Sequence, residues 1–280
     1  MLLEITHRSH YQYTQPVFFE PLTLRLRPRC DATQIVRAHD LRIAPVPTGI
    51  SYGVGLDGNG ADTVWFDGVH DQLDVVATSV VETRRSDPFD FLITDAAAVA
   101  LPAAYDARLR ASLGHYLQRP VADDAVQQFS AAIQKDAGHK TVPFLILLAE
   151  RIYKEFQYLV REHGAPWTPR ETLANKCGAC RDYALLYLDA CRCAGLAARF
   201  VSGYCYTDVP DSNLHAWAEV YLPGAGWRGF DPTEGLAVAG RHVAVAAGRD
   251  APDASPTHGH FRGAAEPTLT ATISIKRLND

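Results

Sequence analysis

From Leu22 to Arg29 the chain reads LTLRLRPR, with apolar and polar residues in strict alternation. That period of two marks a strand with one face buried. LRIAPVP (41–47) begins in the same way, and LDVVATSVVET (73–83) is rich in β-branched residues. GLDGNGADTVWF (55–66) places a Gly/Asn/Asp turn ahead of an apolar run, which is a hairpin signal. Short strands separated by turn chemistry over residues 1–95 predict a small antiparallel β-sandwich, with no catalytic constellation of its own.

SDPFDFL (86–92) ends this pattern, and from about Ala96 the chain turns Ala-rich and helical. VPFLILLAERIYKEFQYL (142–159) is apolar and then amphipathic, long enough for a core helix. HGAPWTPRET (163–172) is a Pro-containing loop in which Thr168 or Thr172 can cap the element that follows. Next comes NKCGACRDYALLYL (175–188), with a helix expected over roughly 179–194. Tyr183, Ala184, Leu185, Leu186, Tyr187, Leu188, Ala190 and Cys191 leave it almost no polar face, so it is expected to be buried at the centre.

After Gly195 the period returns to two. ARFVSGYCYT (198–207) and HAWAEVYLP (215–223) read as strands, with TDVPDSN as the loop between them. WRGFDPT (227–233) follows a Gly-Ala-Gly turn and ends in Asp-Pro. The segment from Gly240 to about Gly263 reads as a loop, and LTATISIKRL (269–278) as a closing strand.

Bulk properties narrow the function classes. A chain of 280 residues can bury a sizeable core. A net charge of −5 argues against a general nucleic-acid binder, which carries a basic face. The start, MLLEITHRSHY, does not read as a signal peptide, and no run of 18 apolar residues suggests a membrane span. Six cysteines are too few for a disulfide scaffold, so free thiols in a reducing cytoplasm are expected.

The C-x-x-C of Cys177 and Cys180 admits three chemistries. A zinc site would draw on Cys177, Cys180, Cys191, Cys193 and Cys205, but the second pair is C-x-C rather than C-x-x-C. A continuous helix would also set Cys191 about 16 Å along the axis from Cys180, too far for one ion. A redox dithiol fits a helix start, but the motif lies far from any short βαβ pattern. In the third reading Cys180 is a single catalytic thiolate, favoured by the amino end of the helix. HAWAEVYLPGAGWRGFDPT supplies a base and its orienting group: His215 opens one strand and Asp231 ends the next, near one end of a hairpin. Ala216 and Ala218 are small enough to let that strand pack closely on the central helix. His258 and His260 of THGH are expected to be exposed loop residues, and no metal is expected.

Taken together, GACRDYALL, GLAARFVSGY, HAWAEVYLPGAGW and FDPT resemble bacterial transglutaminase-like proteins, a branch of the papain-like cysteine enzyme superfamily. The tail GRDAPDASPTHGHFRG and the front pieces YQYTQPV, LRLRPR and LDGNG extend the resemblance over most of the chain. It implies an α+β fold: a β-sandwich over 1–95, a transglutaminase-like core over 96–239 with a central buried helix on an antiparallel sheet, and a C-terminal segment over 240–280 that completes the fold. It also implies that Cys180 is the nucleophile, His215 the general base and acid, and Asp231 the residue that orients the imidazole. Arg181 stands where many relatives carry Gln.

The chemistry so implied is acyl transfer on an amide through a thioester, with hydrolysis as the leading outcome and no cofactor. The partner would be a peptide, a protein or a small amide. A protein cross-linking transglutaminase and a non-catalytic peptide-binding module are the rival readings. No D-x-[DN]-x-[DN]-G loop is present, which weakens a likeness to calcium-regulated cross-linkers. Trp167 and Tyr158 are candidates for a second oxyanion donor, and Arg249 and Asp250 for substrate contact in the cleft. Oligomeric state is left open by the sequence.

Overall fold

The computed structural model describes residues 1–119, 121–161, 164–207 and 214–278. The predicted loop 207–213 therefore lies outside the described residues apart from Thr207, as does His163 of the Pro-containing loop.

Six strands open the chain: β1 (Leu2–Phe19), β2 (Leu22–Leu24), β3 (Gln34–Ala44), β4 (Gly49–Ser51), β5 (Asp62–Trp65) and β6 (His70–Thr83). They fall into two antiparallel sheets, one built on β1, β6 and β3 and the other on β2, β5 and β4. The alternation read from the sequence is visible in β6, where every second residue from Leu73 to Thr83 is buried. Phe19, Leu24, Val64, Phe66, Leu73 and Val75 fill the space between the sheets. The predicted hairpin is present, with β4 paired to β5 and Gly55 donating to the Asn59 carbonyl at 2.9 Å in its turn.

The helical middle comprises α1 (Ala107–Ser112), α2 (Gly114–Leu117), α3 (Asp124–Asp136) and α4 (Thr141–Glu155). The helix read from Val142 stops at Glu155, because Phe156 turns extended and Gln157–Tyr158 form a short strand, β7. Thr168 caps α5 (Pro169–Asn175) in a reciprocal box with Glu171. β8 (Cys177–Gly178) pairs in parallel with β7 and leads into α6 (Cys180–Cys193). α6 runs unbroken through the centre, with eleven of its fourteen residues buried.

α6 packs on a five-stranded antiparallel sheet: β9 (Ala198–Cys205), β10 (His215–Leu222), β11 (Gly226–Asp231), β12 (Leu236–Ala237) and β13 (His242–Gly248), in the order β12-β11-β10-β9-β13. Ala216 and Ala218 face α6 within one apolar cluster that includes Phe144, Leu148, Tyr187 and Phe230. That cluster is the main core, and its small strand residues bring β10 close to the helix.

The C-terminal segment departs from its sequence reading. His242–Gly248 is a fully buried strand rather than a loop. Its small residues gave no alternation because both faces are covered. After it, β14 (Thr257–His258), β15 (Phe261–Arg262) and β16 (Pro267–Leu278) return to the sandwich, where β16 pairs with β1 from Leu2 to Tyr13. The two halves are joined further by side chains that act as a neighbouring strand for β13. Gln34 exchanges two hydrogen bonds with Ala244, both 2.8 Å, and Asn59 exchanges two with Ala247 at 2.6 and 2.8 Å. Among the described residues no helix is long and apolar enough to cross a membrane.

Candidate active site

Cys180 is the first residue of α6, where the leading N–H groups of a helix have no intrahelical acceptor. The residue before it, Ala179, has no side-chain acceptor to cap the helix. Asp182 does that work from within, its carboxylate accepting the Ala179 N–H at 2.8 Å. The β7–β8 pairing sets the approach, with Tyr158 opposite Gly178 and the Leu159 N–H on the Gly178 carbonyl at 2.9 Å. A Cβ on Gly178 would lie 2.9 Å from that of Asp182, so the backbone passes too close there for a side chain.

His215 and Asp231 come from adjacent strands of the hairpin. The His215 Nε2 meets the Asp231 Oδ2 at 2.6 Å. With that nitrogen occupied, Nδ1 is left for the Cys180 thiol, which lies in hydrogen-bonding reach of the imidazole. Cys180 Sγ also stands 3.9 Å from the Leu214 carbonyl. Gly203 lies opposite His215 on the neighbouring strand β9, where a Cβ would strike both the Val243 carbonyl and the Trp217 ring. All three site residues are sheltered: Cys180 is 8% exposed, and the His215 and Asp231 side chains 13% and 0%.

Asp231 is held from both sides. Its Oδ1 accepts the Thr233 and Glu234 N–H groups at 2.9 and 3.3 Å, the turn chemistry of an Asp-Pro sequence. Its Oδ2 receives His215 and, unforeseen from the sequence, the Nε2 of His242 at 3.0 Å. Burial alone would push this carboxyl up, but the two imidazoles hold it well below the usual carboxylate range. Burial likewise opposes charge on His215, and the Asp231 carboxylate overrides it, raising His215 well above the ordinary imidazole value. His242 moves the same way for the same reason.

Tyr158 reaches the site. Its phenol lies in hydrogen-bonding reach of Cys180, and burial together with that neighbour pushes it up to about 12, so it stays a donor at neutral pH. Trp167 contributes through its main chain, its N–H meeting Asp182 Oδ1 at 2.8 Å, while its indole lies under the Arg161 guanidinium at 4.2 Å. Arg161 closes this group with a 2.5 Å ion pair to Asp182.

Arg249 and Asp250 are not at the cleft. Both sit beyond the far end of β13, where the Arg192 side chain binds the Arg249 carbonyl and the Asp250 carboxylate. Arg192 lies in the last turn of α6, so this cluster lies about 18 Å along the helix from Cys180. The pair fixes a helix end instead of facing substrate.

His215, Asp231 and His242 place donor atoms within 4.8 Å of one another. Both imidazoles spend their contact with the carboxylate on one shared oxygen at hydrogen-bond distance, and hydrogen bonding accounts for the group. All six cysteines are free thiols, and Cys177 spends its backbone on β7. Cys191 is fully buried and pushed up by that burial, an inert core residue.

Residues 3–82 match the bacterial transglutaminase-like N-terminal region, and residues 127–232 match the transglutaminase-like superfamily. An uncharacterised protein of Mycobacterium tuberculosis is 32% identical over 274 residues, which cover 91% of this chain and 86% of that protein. The chain belongs to the transglutaminase-like superfamily. An uncharacterised protein of Mycobacterium leprae is 26% identical over 289 residues, covering 99% of each chain. A crystal structure of a candidate cysteine protease from Cytophaga hutchinsonii shares the fold, with a TM-score of 0.73 over 100% of this chain and 92% of its own, at 20% identity. The transglutaminase-like match spans Cys180, His215 and Asp231 and stops short of His242.

Asp182, Arg161 and His242 were missed from the sequence. An acidic residue at the third position of a helix is a capping signal that the apolar run after it obscured. His242 stood in a Gly/Ala-rich stretch whose strand character has no period.

Proposed function

We propose that this protein is a cysteine-dependent acyl-transfer enzyme that cleaves amide or peptide bonds through a thioester. The observation that carries the reading is the continuous line from the Cys180 thiol through His215 to Asp231, anchored by the 2.6 Å bond between Nε2 and Oδ2. In the proposed reaction His215 Nδ1 takes the thiol proton, and Cys180 Sγ attacks the carbonyl carbon. The negative charge that forms on the carbonyl oxygen meets the Cys180 main-chain N–H and the Tyr158 hydroxyl. His215 then passes its proton to the departing amine, the C–N bond breaks, and a thioester remains. Water, deprotonated by the same imidazole, attacks the thioester and returns the thiol and a carboxylic acid. Asp231 keeps the imidazole in the tautomer that bears its hydrogen on Nε2.

A peptide or protein amide is the proposed substrate. The test is a panel of peptides and simple amides followed by mass spectrometry, with and without an added primary amine. Release of acid and amine that is lost in Cys180→Ala supports hydrolysis. Incorporation of the added amine assigns transamidation, and turnover that survives Cys180→Ala contradicts the reading.

A further inference from the structure

We propose that His242 is a positioning residue for the site: by donating its Nε2–H to Asp231 Oδ2, it locks the carboxylate in the orientation that points His215 Nδ1 at Cys180. This inference rests on the acyl-transfer reading of Cys180 and His215.

The geometry is specific. Two imidazoles from two strands on opposite sides of β9, His215 on β10 and His242 on β13, meet one carboxylate oxygen on β11 at 2.6 and 3.0 Å. Oδ1 is already committed to the Thr233 and Glu234 N–H groups. A carboxylate bound only through Oδ1 and His215 could still tilt. A third direction of hydrogen bonding removes that freedom, and an orienting group must itself be oriented to act.

His242 is in turn fixed. Its side chain is 1% exposed, and its ring stands edge-on to Trp217 at 5.3 Å and 6.1 Å from His215. Its register partner on β9 is Cys205, which lies in reach of the imidazole. Arg85 and Glu219 line the crevice behind it, and Arg241 beside it pairs with Glu234. Among the described residues Asp231 takes the hydrogen bond from Nε2, and Nδ1 makes none of ordinary geometry, Cys205 being its polar neighbour. A buried imidazole with one committed nitrogen serves the group it touches.

The role differs from ordinary packing in what it controls. Loss of the donor frees Asp231, which then holds His215 less firmly toward the thiol, and Cys180 loses its proton acceptor at low pH. A residue that only fills space would change stability and leave the pH dependence of Cys180 alone.

The experiment is alkylation of Cys180 by iodoacetamide, followed by peptide mass spectrometry between about pH 4 and 8, with thermal unfolding of the same samples. It compares the wild type with His242→Phe, which keeps a ring without a donor, and His242→Gln, whose amide can place a donor near Nε2. The acid limb of the labelling profile is expected to move up by about one pH unit in His242→Phe and to return close to the wild-type position in His242→Gln. Should His242→Phe fail to fold, His242→Asn, too short to reach Oδ2, takes its place. An unchanged acid limb in the donorless variant, with only a lower melting temperature, overturns the proposal. A wild type in which Cys180 labels no faster than Cys177 overturns the acyl-transfer reading itself, an outcome visible before any variant is compared.

Discussion

Arg161 and Asp182 form a 2.5 Å ion pair beneath the first turn of α6, two residues from Cys180. The Asp182 side chain is fully buried, and its carboxylate also takes the N–H groups of Ala179 and Trp167. One acidic group therefore caps the helix and holds both the Arg161 side chain and the Trp167 backbone. Its charge needs the guanidinium, because an unpaired carboxylate buried beside the proposed nucleophile is costly in itself and opposes a thiolate. Arg161→Met is expected to cost about 3–5 kcal/mol by denaturant unfolding and to slow Cys180 alkylation at pH 6. A loss below about 1 kcal/mol with unchanged alkylation would show that the pair acts as an ordinary surface bridge.

Tyr158 is the phenol at the proposed oxyanion. Its contact with Cys180 is polar, and its ring is also held edge-on to Tyr183 at 6.3 Å. Tyr158→Phe keeps that packing and removes the donor. Turnover on a cleaved amide substrate is expected to fall about 10²–10³-fold with little change in KM. An equal rise in KM at constant kcat would assign Tyr158 to substrate binding instead.

The imidazole–carboxylate group sets a pH dependence of stability. His215 has a folded pKa above its unfolded value of about 6.5. Its contribution is thus fully present below that value and fades as pH rises through the folded one. Asp231 is shifted down, so its share is present above roughly pH 4 and is lost only on strong acidification. The gap in melting temperature between the wild type and His215→Gln is therefore expected to be wider at pH 5.5 than at pH 9.5. A gap that widens with pH would contradict the charged pair.

The far end of α6 is structural. Arg192 is 2% exposed and donates to the carbonyls of Tyr116, Ala198 and Arg249. Arg192→Met leaves those buried acceptors unpaired and is expected to cost about 3 kcal/mol or more. Arg249→Ala and Asp250→Ala should leave Cys180 alkylation within about twofold of the wild type, since they contact Arg192, about 18 Å along α6 from Cys180. A large loss of Cys180 reactivity in either would restore them to the cleft.

Periodic elements were readable where one face meets solvent or where a helix has no polar side. β6, α6 and the β10–β11 hairpin are of this kind, and they carry Cys180, His215 and Asp231. β13 was not readable, because a strand covered on both faces, HVAVAAG, has no apolar/polar alternation. With it went His242, whose partner Asp231 lies eleven residues away on a non-adjacent strand. The Arg249–Asp250 motif was visible, but its direction along β13 was not. The return of β14 to β16 to the sandwich depends on long-range pairing that composition does not encode.

The most direct test is intact-protein mass spectrometry after brief iodoacetamide treatment at pH 6, on the wild type and on Cys180→Ala, Cys177→Ala and His215→Ala. One fast adduct is expected in the wild type and in Cys177→Ala, with its loss in Cys180→Ala and His215→Ala. Equal slow labelling of Cys177 and Cys180, or a readily formed and reversible Cys177–Cys180 disulfide, would contradict it.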